Sequence, residues 1–371
     1  MTAITILATG DVGVRRADLT SIFRGCSDVL RSGDVVFGQL ETTVSARGAA
    51  VPNAKLAMRA SPEMTRAVRD VGYGVMSFAG NHCLDWGYDA FDDTLTHAAQ
   101  AGVALCGAGQ TLAVARQPAI VTTDGISVAV LARSAILPEG YAAEARKSGC
   151  APLRAFTFYE QIEHDQPGTP ARVISHAHRG DLADLVADVR AARACADIVL
   201  VSLHWGIHMI EVDIADYQRE VAHAVVAAGA HAILGHHPHL LKGVEMIAGA
   251  PVFYSLGNFA IEQPHIWDER IVESDSFRHL VSLNPAWRPG AVYMLPEVTR
   301  MTGIARLTCS KRGVEHIAFL PAWIEDDSAP VMLASTDPRH VRVAAYLEQI
   351  SRAAGFATRF EPDAEAIGIG A

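Results

Sequence analysis

The chain has 371 residues, half of them hydrophobic, and sets 31 Lys+Arg against 41 Asp+Glu for a net charge of −10. That supplies a sizeable core for one large domain or two ordinary ones. It argues against a general nucleic-acid binder, whose affinity rests on clustered Lys and Arg, and no basic run offsets the acidic balance.

In chain order, short apolar runs alternate with amphipathic segments. "AITILATG" predicts a strand ending at Gly10 and Asp11, and "DVVFGQLE" one ending at Glu41. "SPEMTRAVRDVG" predicts a helix with Ser61 as N-cap and Pro62 at its first position. "YGVMSFAGNH" predicts a strand ending at Asn81 and His82. Residues 138–180, broken by Pro and Gly, are expected to be a loop insertion. A helix is predicted over 181–195, and "DIVLVSLHWG" is a strand ending at His204. Residues 215–228 carry Tyr217, Val221, Val225 and Ala228 on one helical face, with Gly229 as the stop. "AHAILGHHPH" and "APVFYSLGNF" complete the set of strands. Residues 260–300 read as a second loop insertion, and 301–371 as an extension packed on a single domain, with one or two strands and a helix near 338–353. Runs this short and rich in Val, Ile and Leu fit strands buried on both faces, and their alternation with helices predicts an α/β fold.

No stretch reaches the ~20 apolar residues that span a bilayer. "MTAITILATGDVG" has no secretory signal pattern, and the six cysteines form no C-x-x-C pair. The expectation is a cytoplasmic protein with reduced thiols, no membrane partner and no nucleic acid; it leaves a homo-oligomer open.

Five of the six strands end in side chains able to hold a metal: Asp11; Glu41; Asn81 with His82; His204; and His236, His237 and His239. Ligands bind beyond the carboxyl ends of strands in open α/β sheets. Carboxylate, amide oxygen and imidazole together suit Mn, Zn or Fe, and the absence of cysteine argues against a closed structural zinc site. A carboxylate shared by two such ions is the general dinuclear arrangement.

The motifs "GDV" (10–12), "LETTVS" (40–45), "FAGNHCLDWG" (78–87), "LHWG" (203–206), "GHHPH" (235–239) and "YSLGNF" (254–259) resemble the CapA-type proteins of poly-γ-glutamate capsule synthesis. That group lies within the calcineurin-like metallophosphoesterase superfamily. The resemblance covers about residues 5–260. It implies a two-sheet β sandwich flanked by helices, with one or two divalent ions held by Asp11, Glu41 as the bridge, Asn81, His204, His237 and His239. It implies His82 as the proton donor to the leaving group, with Asp85 orienting it. His208, His236 and Asn258 are counted with the residues that contact substrate. The D-x-H opening of the superfamily is missing, since position 13 is Gly.

The expected function is metal-dependent hydrolysis, in which a metal-bound hydroxide attacks a small, anionic phosphoester, amide or ester. The alternative is a non-hydrolytic accessory of polymer synthesis. Arg270 and Arg278, interleaved with Trp267, Phe277 and Trp287, are expected to form a lid that grips the anion.

Overall fold

The computed structural model describes residues 2–54, 56–262, 269–287 and 292–371. Two β-sheets stack face to face with helices outside them, the fold class that the resemblance implies. The first sheet is built around β1 (Ile4–Gly13), followed by β2 (Val35–Leu40), β3 (Val75–Ser77) and β4 (Ala104–Cys106), all parallel. The second contains β5 (Ala119–Thr123), β6 (Ile126–Ser134), β7 (Ile198–His204), β8 (Ala232–His236), β9 (Val244–Ile247) and β10 (Ala250–Phe253).

Strand β7 shows why its sequence is almost continuously apolar. Ile198 and Leu200 face the core between the sheets, while Val199, Val201 and Leu203 face the helices α1 (Arg179–Arg193) and α2 (Asp216–Ala227). Both faces are covered, so the strand is apolar apart from the buried Ser202 and the terminal His204. Each of these completely buried side chains contributes about 1.5–3 kcal/mol. The α2 face is the expected one, with Tyr217, Val221 and Val225 buried. The helix expected from Ser61 starts later, at Met64, because Ser61 closes a turn through its carbonyl instead of capping.

Two regions differ from expectation. Within 138–180, Ala155–Glu160 and Arg172–Ala177 pair as an antiparallel hairpin. It was hidden because its strands expose Phe156, Phe158, Tyr159 and Val173 instead of alternating cleanly. Within 301–371 the expected helix forms as Pro338–Ala353, but the strands are built into the first sheet: Met301–Ser310 pairs antiparallel with β1 from Ile4 to Thr9, and Gly313–Ile324 pairs with it in turn. Asn258–Ile261 then takes over the same edge of β1, pairing with Asp11–Gly13. None of the helices among the described residues is long and apolar enough to cross a membrane.

Candidate metal centre between the sheets

The centre forms where the carboxyl ends of the two sheets meet. Asp11 is aimed by a bulge: from Ala8 to Asp11, β1 advances three residues while its partner β2 advances two, from Phe37 to Gln39. An extra residue of this kind bends a strand and re-aims its side chains. Gly10 permits the approach of the loop from β10, since a Cβ there would stand 2.0 Å from the Gly257 carbonyl oxygen. Asp11 N donates to that same oxygen at 3.0 Å. In the second sheet, the register pairs His204 with His236, so both strand ends stop at one level. The loop beyond β8 holds His237 at φ 95° and His239 at φ 59°. Non-glycine residues rarely adopt these angles, and such strain collects at functional sites.

Asp11, Glu41 and His204 are completely buried, and one donor atom from each lies within 4.8 Å of the others. His204 Nε2 is 3.6 Å from Glu41 Oε1 and 2.7 Å from Asn81 Oδ1. On the other side, His236 Nδ1 is 3.4 Å from Asp11 Oδ1 and His239 Nδ1 is 3.2 Å from Asp11 Oδ2. His237 sits over His204, with ring centres 5.0 Å apart.

Many of these atoms have no hydrogen-bond partner: both Asp11 oxygens, Glu41 Oε1, His204 Nδ1, His237 Nδ1 and both nitrogens of His236. A buried polar atom left unpaired costs about 1–3 kcal/mol, so a cluster of them, with no thiolate among the donors, fits a set of ligands for a divalent cation.

Burial makes the charges of this cluster costly. Burial and the Asp11 charge push the Glu41 carboxyl up to about 7. Burial would raise Asp11 too, but the imidazoles of His236 and His239 hold it well below the usual carboxylate range. Burial drives His204 and His237 well below the ordinary histidine value. His239 is also penalised by burial, yet Asp11 and Glu41 raise it.

His82 occupies the flank. Its Nδ1 is 2.6 Å from Asp85 Oδ2, and its Nε2 is 3.9 Å from Glu41 Oε1. Burial disfavours its charge, but Asp85 outweighs that and raises it to about 9. Asp85 is itself anchored: its Oδ2 accepts from Met58 N at 2.8 Å and its Oδ1 from the Tyr141 hydroxyl at 3.0 Å. Tyr141 was missed because it lies 56 residues away in an irregular stretch. Gln39 was also missed; its Nε2 reaches Glu41 Oε2 at 3.3 Å, a position marked only by the strand spacing i, i+2.

The residues expected to contact substrate separate into groups. His208 is exposed at the rim, its ring 5.3 Å from that of His237 and 5.2 Å from that of His239. His236 and Asn258 are completely buried and present nothing to solvent. Asn258 Oδ1 meets His239 Nδ1 at 2.8 Å, so it orients a candidate ligand; it stands opposite Asp11 in the pairing of Asn258–Ile261 with β1. The Arg270 side chain, Trp267 and Arg288 lie outside the described residues. Arg278 is exposed on the helix Asp275–Leu283, 3.5 Å from Asp275. Phe277 and Trp287 are buried against each other, ring centres 5.3 Å apart, as packing partners.

An α/β sandwich that gathers carboxylate, amide and imidazole groups at the meeting edge of its sheets is a protein with a buried candidate metal site. The family follows from the sequence: residues 5–263 match the bacterial capsule synthesis protein PGA_cap, and the chain belongs to that family. It is 29% identical over 245 residues to the PGA biosynthesis protein CapA of Bacillus subtilis, covering 66% of this chain and 57% of that one. It is 31% identical over 229 residues to a probable polyglutamine synthesis accessory protein of Mycobacterium tuberculosis, covering 61% and 55%. The matches thus span little more than half of these relatives' length. Among solved structures, the calcineurin-like phosphoesterase YfkN from Bacillus subtilis aligns with a TM-score of 0.40 and 12% identity, over 94% of this chain and 97% of that one.

Proposed function

We propose that this protein is a metal-dependent hydrolase acting on a small anionic phosphoester, amide or ester. The observation that carries the reading is the set of buried, unpartnered donor atoms from strand ends of both sheets. Asp11, Glu41 and His239 would hold one divalent ion, and Glu41, Asn81, His204 and His237 a second. When bound, such ions polarise the substrate and supply a nucleophile from water near neutral pH. His82, charged and aligned by Asp85, gives its Nε2 proton to the leaving group. Asp85 is held in turn by Tyr141 and the Met58 amide, so the imidazole cannot swing away. His208 meets the substrate at the rim. The six cysteines are unpaired and five are buried, which supports a reducing, cytoplasmic setting.

A second reading, a non-hydrolytic accessory of polymer synthesis, is favoured by the name of the mycobacterial relative. One experiment separates the two. Protein reconstituted with Mn, Zn or Fe is assayed on phosphomonoesters, phosphodiesters, γ-glutamyl amides and small esters. Metal-dependent turnover that disappears in Glu41→Ala supports the hydrolase. One to two tightly bound equivalents of metal with no turnover of any class supports the accessory, and no bound metal removes the proposed centre altogether.

A further inference from the structure

We infer that His236 is itself a metal ligand on the Asp11 side, the fourth protein donor to that ion beside Asp11, Glu41 and His239; this rests on the reading of the centre given above. Three observations lead there. His236 is completely buried, and neither ring nitrogen has a hydrogen-bond partner. Its Nδ1 lies 3.4 Å from Asp11 Oδ1, an oxygen equally unpartnered. With it, the two sides balance: Glu41, Asn81, His204 and His237 give four donors to one ion, and Glu41, Asp11, His239 and His236 give four to the other.

The separation is informative. It is long for a charge-assisted hydrogen bond, which runs at about 2.7–2.9 Å. Two donors bound about 2.0–2.1 Å from one tetrahedral ion stand about 3.3 Å apart. A merely orienting histidine would donate Nδ1–H to Asp11 at that shorter distance. A space-filling role is met at lower cost by Leu or Phe, because Phe37, the aromatic neighbour at 6.0 Å, offers no polar partner. Position 13 supplies no imidazole to this side either: Gly13 is paired with Ile261, whose Cγ1 is 3.4 Å from where a Cβ would stand.

The test uses the full chain, stripped with a chelator and titrated with Co²⁺ alone. Calorimetry gives stoichiometry and affinity, and visible absorption reports the ligand field. His236→Gln is expected to lose one equivalent outright. The loss should exceed the about 10–100-fold weakening that follows removal of a group standing behind a ligand. His340→Gln, which removes another buried histidine in the helix Pro338–Ala353, is expected to bind both equivalents. If His236→Gln binds two equivalents with wild-type affinity and spectrum, the inference is overturned while the centre stands. If wild type binds no Co²⁺, the centre itself falls and the inference with it. Should His236→Gln not fold, the Co²⁺-loaded wild type decides by proton NMR. Four hyperfine-shifted, solvent-exchangeable imidazole N–H signals (His204, His236, His237 and His239) support the assignment, and three overturn it.

Discussion

In the chelated protein, Glu41 should act as a buried charge that opposes folding. Its carboxyl is completely buried beside the Asp11 carboxylate and is raised from 4.5 to about 7. The folded state therefore binds a proton that the unfolded state has already released between pH 4.5 and 7. Stability falls across that window and stays lower above it. A carboxyl raised from 4.5 to about 7 costs on the order of 3 kcal/mol when ionised at pH 8. Other groups titrate nearby: His204 and His237 are lowered, and His82 is raised. The quantity to measure is therefore the difference between wild type and Glu41→Gln, which keeps the shape and removes the charge. Urea unfolding in EDTA at half-unit steps from pH 4.5 to 8 measures it. The Gln variant should gain on wild type as pH rises, by roughly 3 kcal/mol at the top of the range. Divalent cation should reverse the order, because wild type then gains binding energy that the variant lacks. A difference that stays flat between pH 4.5 and 8 would refute the claim that Glu41 is held charged against its surroundings.

Three further outcomes are expected. Once a substrate is in hand, His82→Gln should retain bound metal and melting behaviour but lose turnover by about 10²–10⁴-fold; loss of metal instead would make His82 a ligand. Gly10→Ala should strongly destabilise the fold and disrupt metal binding, since its Cβ would stand 2.0 Å from the Gly257 carbonyl oxygen; a melting temperature within a degree or two of wild type would show that the loop yields freely. Asp188→Asn should cost about 3–5 kcal/mol in denaturant unfolding by depriving the buried Arg133 guanidinium of the carboxylate it contacts; a loss below about 1 kcal/mol would mean that Asp184 or water replaces it.

The strand ends were legible because strands covered on both faces are mostly apolar, so carboxylate and imidazole groups stand out near their carboxyl ends. Asp11, Glu41, His204 and His236 stand out for that reason, and the structure gathers them. What lay out of reach depended on direction and distance. In "GHHPH" the rings of His237 and His239, both at positive φ, lie against the rim residue His208, while His236 lies beside Asp11. Adjacent letters do not encode that divergence. Asn258 read as the end of a strand near substrate, yet parallel pairing with β1 buries it under His239. Tyr141 and the Ala155–Ala177 hairpin sit in a stretch whose Pro and Gly content masks both. The long pair Met301–Ser310 and Gly313–Ile324 was underestimated because its apolar pattern does not say which sheet it joins.

The pairing of Ile4 with Cys309 has a consequence for the chain while it is being made. At translation rates of about 5–20 residues per second, the 304 residues between them take roughly 15–60 s to emerge. Throughout that time the Ile4–Thr9 edge of β1 can find its neighbour β2 but not its other partner. Every candidate ligand, from Asp11 to His239, has left the ribosome well before that edge is closed. A fragment ending near residue 263 would carry all of those ligands on a first sheet with an open seam. Such a fragment should aggregate or recruit chaperones in the cell, although the family resemblance ends at that point.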